Sequence, residues 1–128
     1  MAKRIREKAA RRQEEKDTRP SATAKYIRMG SSKAKRILDL IRGKSYNEAL
    51  AIVNNSDSTV RLSVEKVLNS AAANAENNKG LNKDTLYVAE CYANAGPTIK
   101  RGIWRGKGGH DILLKRTCHI TIVLDVVK

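Results

Sequence analysis

"TCHITIVLDV", residues 117–126, is the stretch that decides the fold. Cys118, Ile120, Ile122, Leu124 and Val126 alternate with Thr117, His119, Thr121, Val123 and Asp125. Successive side chains on a strand point to opposite faces, so this period of two reads as a β-strand whose first set faces a core. A strand buried on one face requires partner strands beside it and a second layer over it.

The same period recurs from Asp84. Leu86, Val88, Glu90 and Tyr92 fall on one face, and Thr85, Tyr87, Ala89, Cys91 and Ala93 on the other. Gly96-Pro97 interrupts that run, because proline removes a ladder donor. A further strand of mixed burial is expected over TAKYIRM, residues 23–29. Cys91 and Cys118 face each other if their strands pair. Two cysteines are too few for a disulfide framework, and neither lies in CxxC spacing. They read as small buried residues in a reducing compartment. His110 and His119 are the only histidines, so no metal site and no cofactor is expected.

Helices supply the covering layer. Gly30-Ser31-Ser32 offers an N-cap, and in KAKRILDLIRG Ala34, Ile37, Leu38 and Ile41 share one helical face. Gly43 is a natural stop. Ser45-Tyr46-Asn47-Glu48 has the S-x-x-E pattern of a capping box, and predicts a short helix through about Val53 that buries Ala49, Leu50 and Val53. Asn54-Asn55-Ser56-Asp57 reads as a turn that caps the next helix. In that helix Val60, Val64, Val67, Leu68, Ala71, Ala72 and Ala75 form a stripe over four turns. Asn77-Asn78-Lys79-Gly80 ends it.

Residues 97–117 lie between the two best strands and carry six Lys/Arg against one Asp. Strands joined by a Gly-rich turn make a hairpin, with Arg105-Gly106-Lys107-Gly108-Gly109 as its tip. Arms of about eight to ten residues project on the order of 30 Å at roughly 3.3 Å per residue. An isolated two-stranded ribbon is marginal in water, so something solid must surround this one. It also holds Trp104, in a chain with no other Trp and no Phe. The basic residues meet phosphates, and the indole stacks on an exposed base or wedges into an RNA crevice.

Charge points the same way. The 128 residues suggest one domain, and 26 Lys/Arg against 13 Asp/Glu give a net +13. Self-repulsion of that size calls for a polyanionic partner, and nucleic acid fits best because each neutralised phosphate releases counterions. No apolar run reaches the roughly 18 residues of a membrane span, so no membrane partner is expected. Residues 1–19 hold eight Lys/Arg and four acids with few apolar residues. They read as a solvated arm, disordered or loosely helical, that orders on a partner. Glu7–Arg11 and Glu15–Arg19 have helix-favouring spacing. The start has neither the apolar run of a secretory signal nor the acid-poor composition of a transit peptide, which leaves a cytoplasmic protein.

The stretches KYIRMGSSKAKRILDLIRGKSYNEAL (25–50), VEKVLNSAAANAENNKGL (64–81), GPTIKR (96–101), RGKGGHD (105–111) and KRTCHITIV (115–123), in this order and spacing, resemble the bacterial large-subunit ribosomal protein twenty-two family. The resemblance covers roughly residues 22–125. It implies an α+β fold: three helices packed on a small, mainly antiparallel three-stranded sheet, with a long protruding basic β-hairpin at about 94–118. It divides the chain into a basic arm, 1–21, and one ribosomal-protein domain, 22–128. It implies a structural constituent of the large ribosomal subunit that binds large-subunit (23S) ribosomal RNA, supports assembly, touches neighbouring ribosomal proteins, and lines the nascent-peptide exit tunnel with its hairpin. By the same resemblance Lys100, Arg101, Arg105 and Lys107 are RNA-binding positions of the hairpin. Lys115, Arg116 and His119 match the K-R-T-x-H-I-T stretch, Lys33, Lys35 and Arg36 the first-helix segment, and Arg42 and Lys44 the D-L-I-R-G-K stretch. Trp104 stands where the family often has proline, and Gly102 where a larger apolar residue is usual.

Two other classes are weighed. A free-standing architectural nucleic-acid-binding protein would gather its cations on one continuous face, whereas here they divide between arm and hairpin. An RNA-processing enzyme would need converging acids or histidines. Asp111 is the only acid in the basic hairpin region and His110 beside it has no nucleophile, so the chain is read as a non-enzyme.

Overall fold

The strand read first is the centre of the sheet. In the computed structural model, which describes residues 2–15 and 17–126, the three-stranded sheet runs β1 (Ser21–Ile27), β5 (Cys118–Val126), β2 (Leu86–Ala95), with both pairings antiparallel. The helices are α1 (Ala2–Glu14), α2 (Ser31–Ile41), α3 (Tyr46–Asn54) and α4 (Arg61–Lys79). A separate two-stranded ribbon, β3 (Ile99–Trp104) with β4 (His110–Lys115), makes the hairpin. The expected α+β architecture holds: three helices cover the sheet and a basic hairpin leaves it.

Cys118, Ile120, Ile122 and Leu124 are buried on the inner face of β5, as their alternation predicts, while Val126 is only half-buried. α4 lies over β1 and β5, α2 over β2, and α3 fills the angle between α2 and α4. The stripe of α4 is buried from Val60 to Ala75, so Ile, Leu, Val and Ala side chains make one continuous core. Among the described residues Tyr46 adds the only buried aromatic, its hydroxyl donating to Asn69 Oδ1 at 2.8 Å.

Local signals explain most boundaries. The capping box is present: Ser45 Oγ accepts the Glu48 N–H, and Glu48 Oε2 accepts the Ser45 N–H. It starts α3, which buries Ala49 and Val53 and leaves Leu50 half-buried. Gly43 takes φ +76 after α2, and Gly80 takes φ +63 after α4, where Leu81 N–H reaches back to Ala75 C=O.

The structure corrects several expectations. In β2 the inward face changes partway: Leu86 and Val88 are buried, then Cys91 and Ala93. Val88 pairs with Leu124 but Glu90 with Val123, so Ala89 is an extra residue, a β-bulge that inverts the parity beyond it. Glu90 and Tyr92 therefore face solvent. Cys91 and Cys118 do not face each other, because Cys91 lies opposite Ile122 and Cys118 opposite Ala95; both thiols are free and buried. β1 ends at Ile27, short of Met29, after a bulge in which Tyr26 has φ +58. The turn 54–57 does not cap α4, whose N-cap is the buried Val60 three residues later, with Ser58 Oγ accepting the Val60 N–H at 3.4 Å. Gly30 occupies the N-cap of α2, so no side chain closes that helix end.

The arm is more ordered than expected. α1 is a regular helix, exposed along its described side chains, with an Arg11–Glu15 ion pair at 3.5 Å. The expected Glu15–Arg19 pair is not made, since the helix ends at Glu14. Arg19 instead donates to Asp17 and, at 2.6 Å, to Glu90 on β2, tying the arm to the outward-facing side of the bulge.

Candidate nucleic-acid interface

The hairpin leaves the body through a junction. Gly96 N–H donates to Thr117 C=O at 2.9 Å, and Thr117 Oγ1 donates to Pro97 C=O at 2.7 Å. Glycine is required here: a Cβ on residue 96 would lie 2.4 Å from Thr117 Oγ1 and 3.2 Å from the His119 ring. Thr117 is the one buried polar residue among those described. His119 sits beside it, and its Nδ1 accepts the Tyr26 N–H at 2.9 Å, with the two rings edge to face at 4.9 Å. The β1 bulge leaves that amide outside the ladder, and the imidazole supplies its acceptor.

Beyond the junction each strand of the ribbon has six residues, a paired length of about 20 Å at roughly 3.3 Å per residue. Its extensive contacts are between its own strands. Every residue of β4 is exposed, including Ile112, Leu113 and Leu114, and Ile99 is exposed on β3. So much apolar surface on a projecting ribbon marks a surface to be covered. The turn falls at Arg105–Gly109, as expected, with Lys107 at φ +56 and Gly108 at φ +73.

The candidate cations are all solvent-accessible, but they are not equivalent. Lys100, Arg101 and Lys107 are exposed along the ribbon and tip with no ion pair among the described residues. Arg105 is paired at 2.9 Å with Asp111, which lies diagonally across the hairpin, opposite Ile103 in the ladder. Trp104 is 82% exposed and touches His110 edge to face, with ring centroids 5.6 Å apart.

At the root of the hairpin, Lys115 and Arg116 join Lys33 from α2 and Arg28 from the end of β1. They line an open groove of about 780 Å³ that also contains Met29, Gly30, Ser32, Thr59 and Leu114. Four cations and no acid share this groove, so its field favours an anion. Arg28 was not singled out from sequence, because only the fold carries it to the root of a hairpin some ninety residues downstream. Lys35 and Arg36 are exposed on α2. Arg42 and Lys44 lie at the opposite end of α2 and do not join the groove. Arg42 is largely occupied within the body, donating to Cys91 C=O at 3.0 Å and pairing with Asp39 at 2.9 Å.

Among the described residues no group of His, Cys, Asp and Glu could hold a metal ion. No helix is long and apolar enough to cross a membrane. Burial pushes both thiols up from their ordinary range; Cys91 Sγ donates to Leu38 C=O at 3.1 Å. A thiol so placed is a packing residue.

A family model described as ribosomal protein L22p/L17e matches residues 22–125. A protein of Lachnospira eligens named large ribosomal subunit protein uL22 is 54% identical, over 86% of each chain. One of the same name from Agathobacter rectalis is 53% identical over 98% of each chain, and one from Pelotomaculum thermopropionicum 48% identical over 84% of this chain and 95% of its own.

Proposed function

Because the chain belongs to the ribosomal protein L22p/L17e family, we propose that it works in the cytoplasmic ribosome as a structural, non-enzymatic RNA clamp, with its hairpin threaded between segments of large-subunit ribosomal RNA. It is a structural constituent of the large ribosomal subunit. The observation that carries the finer reading is the ribbon itself: an exposed, basic and apolar hairpin whose extensive contacts are only its own. Such a surface is only marginally stable in bulk water and gains stability in a polyanionic wall.

The mechanism is electrostatic anchoring with shape fit. Lys100, Arg101, Arg105 and Lys107 neutralise phosphates along the ribbon and tip. The root groove, with Arg28, Lys33, Lys115 and Arg116, takes a further stretch of backbone. Lys35, Arg36 and Lys44 contribute weaker contacts from the body. Arg42 and His119 act mainly by holding the body and the junction in shape. Holding several RNA segments at once supports subunit assembly, and neighbouring ribosomal proteins complete the enclosure. The resemblance of the hairpin stretches supports placing its tip in the wall of the exit tunnel, beside the nascent peptide. The exposed basic helix α1 adds further cationic surface ahead of the sheet, which the chain joins at Ser21, the first residue of β1.

Sucrose-gradient fractionation of cell extract tests this reading. The chain is expected to migrate with the large subunit and stay there in high salt. Release at modest salt would make it a loosely attached factor. Comparable affinity of the purified chain for duplex DNA would favour an architectural nucleic-acid-binding protein.

A further inference from the structure

We propose that His110 is a positioning residue: seated over the bare backbone of Gly102, it fixes the indole of Trp104 in an outward pose for stacking on an unpaired RNA base. The proposal takes its ligand from the RNA-binding reading above, but its geometry stands by itself.

The pairing sets the arrangement. Arg105 N–H donates to Gly109 C=O at 2.9 Å. Trp104–His110 is therefore the adjacent, non-hydrogen-bonded pair, the kind in which facing side chains come closest. The two rings meet edge to face, at 5.6 Å and an interplanar angle of 72°. This is a preferred aromatic geometry, and it leaves at least one face of the indole free.

What steers His110 into this pose is the next residue on the same face. Gly102 lies diagonally across the ladder, within reach of a long side chain. A Cβ there would sit 2.5 Å from His110 Nε2 and within 3.5 Å of two further ring atoms. The ring thus occupies the space that any other residue at 102 would fill. Gly102 has no positive φ to explain it and lies inside a strand, where glycine is otherwise unfavourable. Gly102, His110 and Trp104 form one unit at the end of the ribbon; all three are exposed, Trp104 at 82%. An indole held this way enters a stack with less ordering left to do than a freely rotating one.

The test uses the full chain, in which Trp104 is the only indole and so the only source of its spectroscopic signal. The near-ultraviolet circular dichroism of wild type is compared with Gly102→Ala, His110→Ala and His110→Phe, and affinity for a transcript of large-subunit ribosomal RNA is measured for each. Gly102→Ala displaces only a side-chain end, so the ladder is spared. The indole band is expected to weaken in Gly102→Ala and His110→Ala and to persist in His110→Phe, which keeps a ring. Affinity is expected to fall about 2- to 10-fold in the first two, the worth of one aromatic pair. Neither change should lower it further once Trp104→Ala is present. An unaltered indole band in Gly102→Ala and His110→Ala overturns the proposal, as do losses that add to that of Trp104→Ala. If Trp104→Ala binds as wild type does, the indole meets something other than a base and the proposed ligand is wrong. If wild type itself shows no salt-dependent RNA binding, the functional reading fails, while the dichroism still decides whether His110 positions the indole.

Discussion

The hydroxyl of Thr117 donates to the carbonyl of Pro97 at 2.7 Å, and this bond lies between two sheets that share no ladder. On one side are β1, β5 and β2 with the core; on the other is the ribbon of β3 and β4. Body and hairpin are thus joined by a small polar knot, not by a continuous sheet. The body owes its stability to Ile120, Ile122, Leu124 and the helices over them, and the hairpin owes its direction to the knot.

The knot should respond to changes that leave the core alone. Thr117→Val keeps the shape but leaves the Pro97 carbonyl without its donor, at a cost of about 1 kcal/mol. Gly96→Ala places a methyl 2.4 Å from Thr117 Oγ1 and is expected to cost about 1–3 kcal/mol through overpacking. Urea denaturation of the two variants measures both. A midpoint in Gly96→Ala equal to wild type would show that the junction yields without strain.

Removing residues 100–110 should leave the body folded, with cooperative thermal melting near that of the full chain. The buried side chains of the core all lie outside the deleted segment. A broad, non-cooperative transition would mean that the ribbon stabilises the body through contacts at its root.

Much of this was legible because single residues carry unambiguous local chemistry. The alternation of β5, the Ser45–Glu48 box, the stripe of α4 and the Gly-rich tip each depend on neighbours a few residues apart. The bulge at Ala89 was hidden for the opposite reason. Ala89, Cys91 and Ala93 are small and apolar and suit either face, so the strict period of two and its interrupted form fit the sequence equally well. Only the pairing with β5 selects between them. The groove of Arg28, Lys33, Lys115 and Arg116 was hidden because it joins positions far apart in the chain. Arg105 was legible as a basic residue, but not its Asp111 partner, which depends on where the hairpin turns.

The local turn between Asp17 and Arg19 should be acid-sensitive. The side-chain and backbone hydrogen bonds from Arg19 hold the Asp17 carboxyl down from 3.8 to about 2. A carboxyl lowered by the folded arrangement favours that arrangement above its ordinary value and stops doing so as pH falls through its lowered one. The Asp17–Arg19 turn should therefore loosen between pH 3.8 and about 2. In Arg19→Ala, which also frees Glu90, a carboxyl-detected titration by magnetic resonance should return Asp17 toward 3.8. A value that stayed near 2 would locate the cause in a different group.

RNA binding offers the sharpest reading of the hairpin cations. Arg101→Ala should reduce the slope of log affinity against log salt by about one unit, the yield of one lost phosphate contact. Arg105 starts from its pair with Asp111, but both partners are largely exposed, at 64% and 57%, and an exposed pair is worth only about 0–1 kcal/mol. Arg105 can therefore leave Asp111 for a phosphate, and Arg105→Ala should lower the slope by a similar step. Asp111→Asn removes both the competing carboxylate and a negative charge from the RNA-facing ribbon, so it should tighten binding at low salt and steepen the slope. Weaker binding by Asp111→Asn would show that the ion pair shapes the tip and that Arg105 is held for structure, not released to RNA.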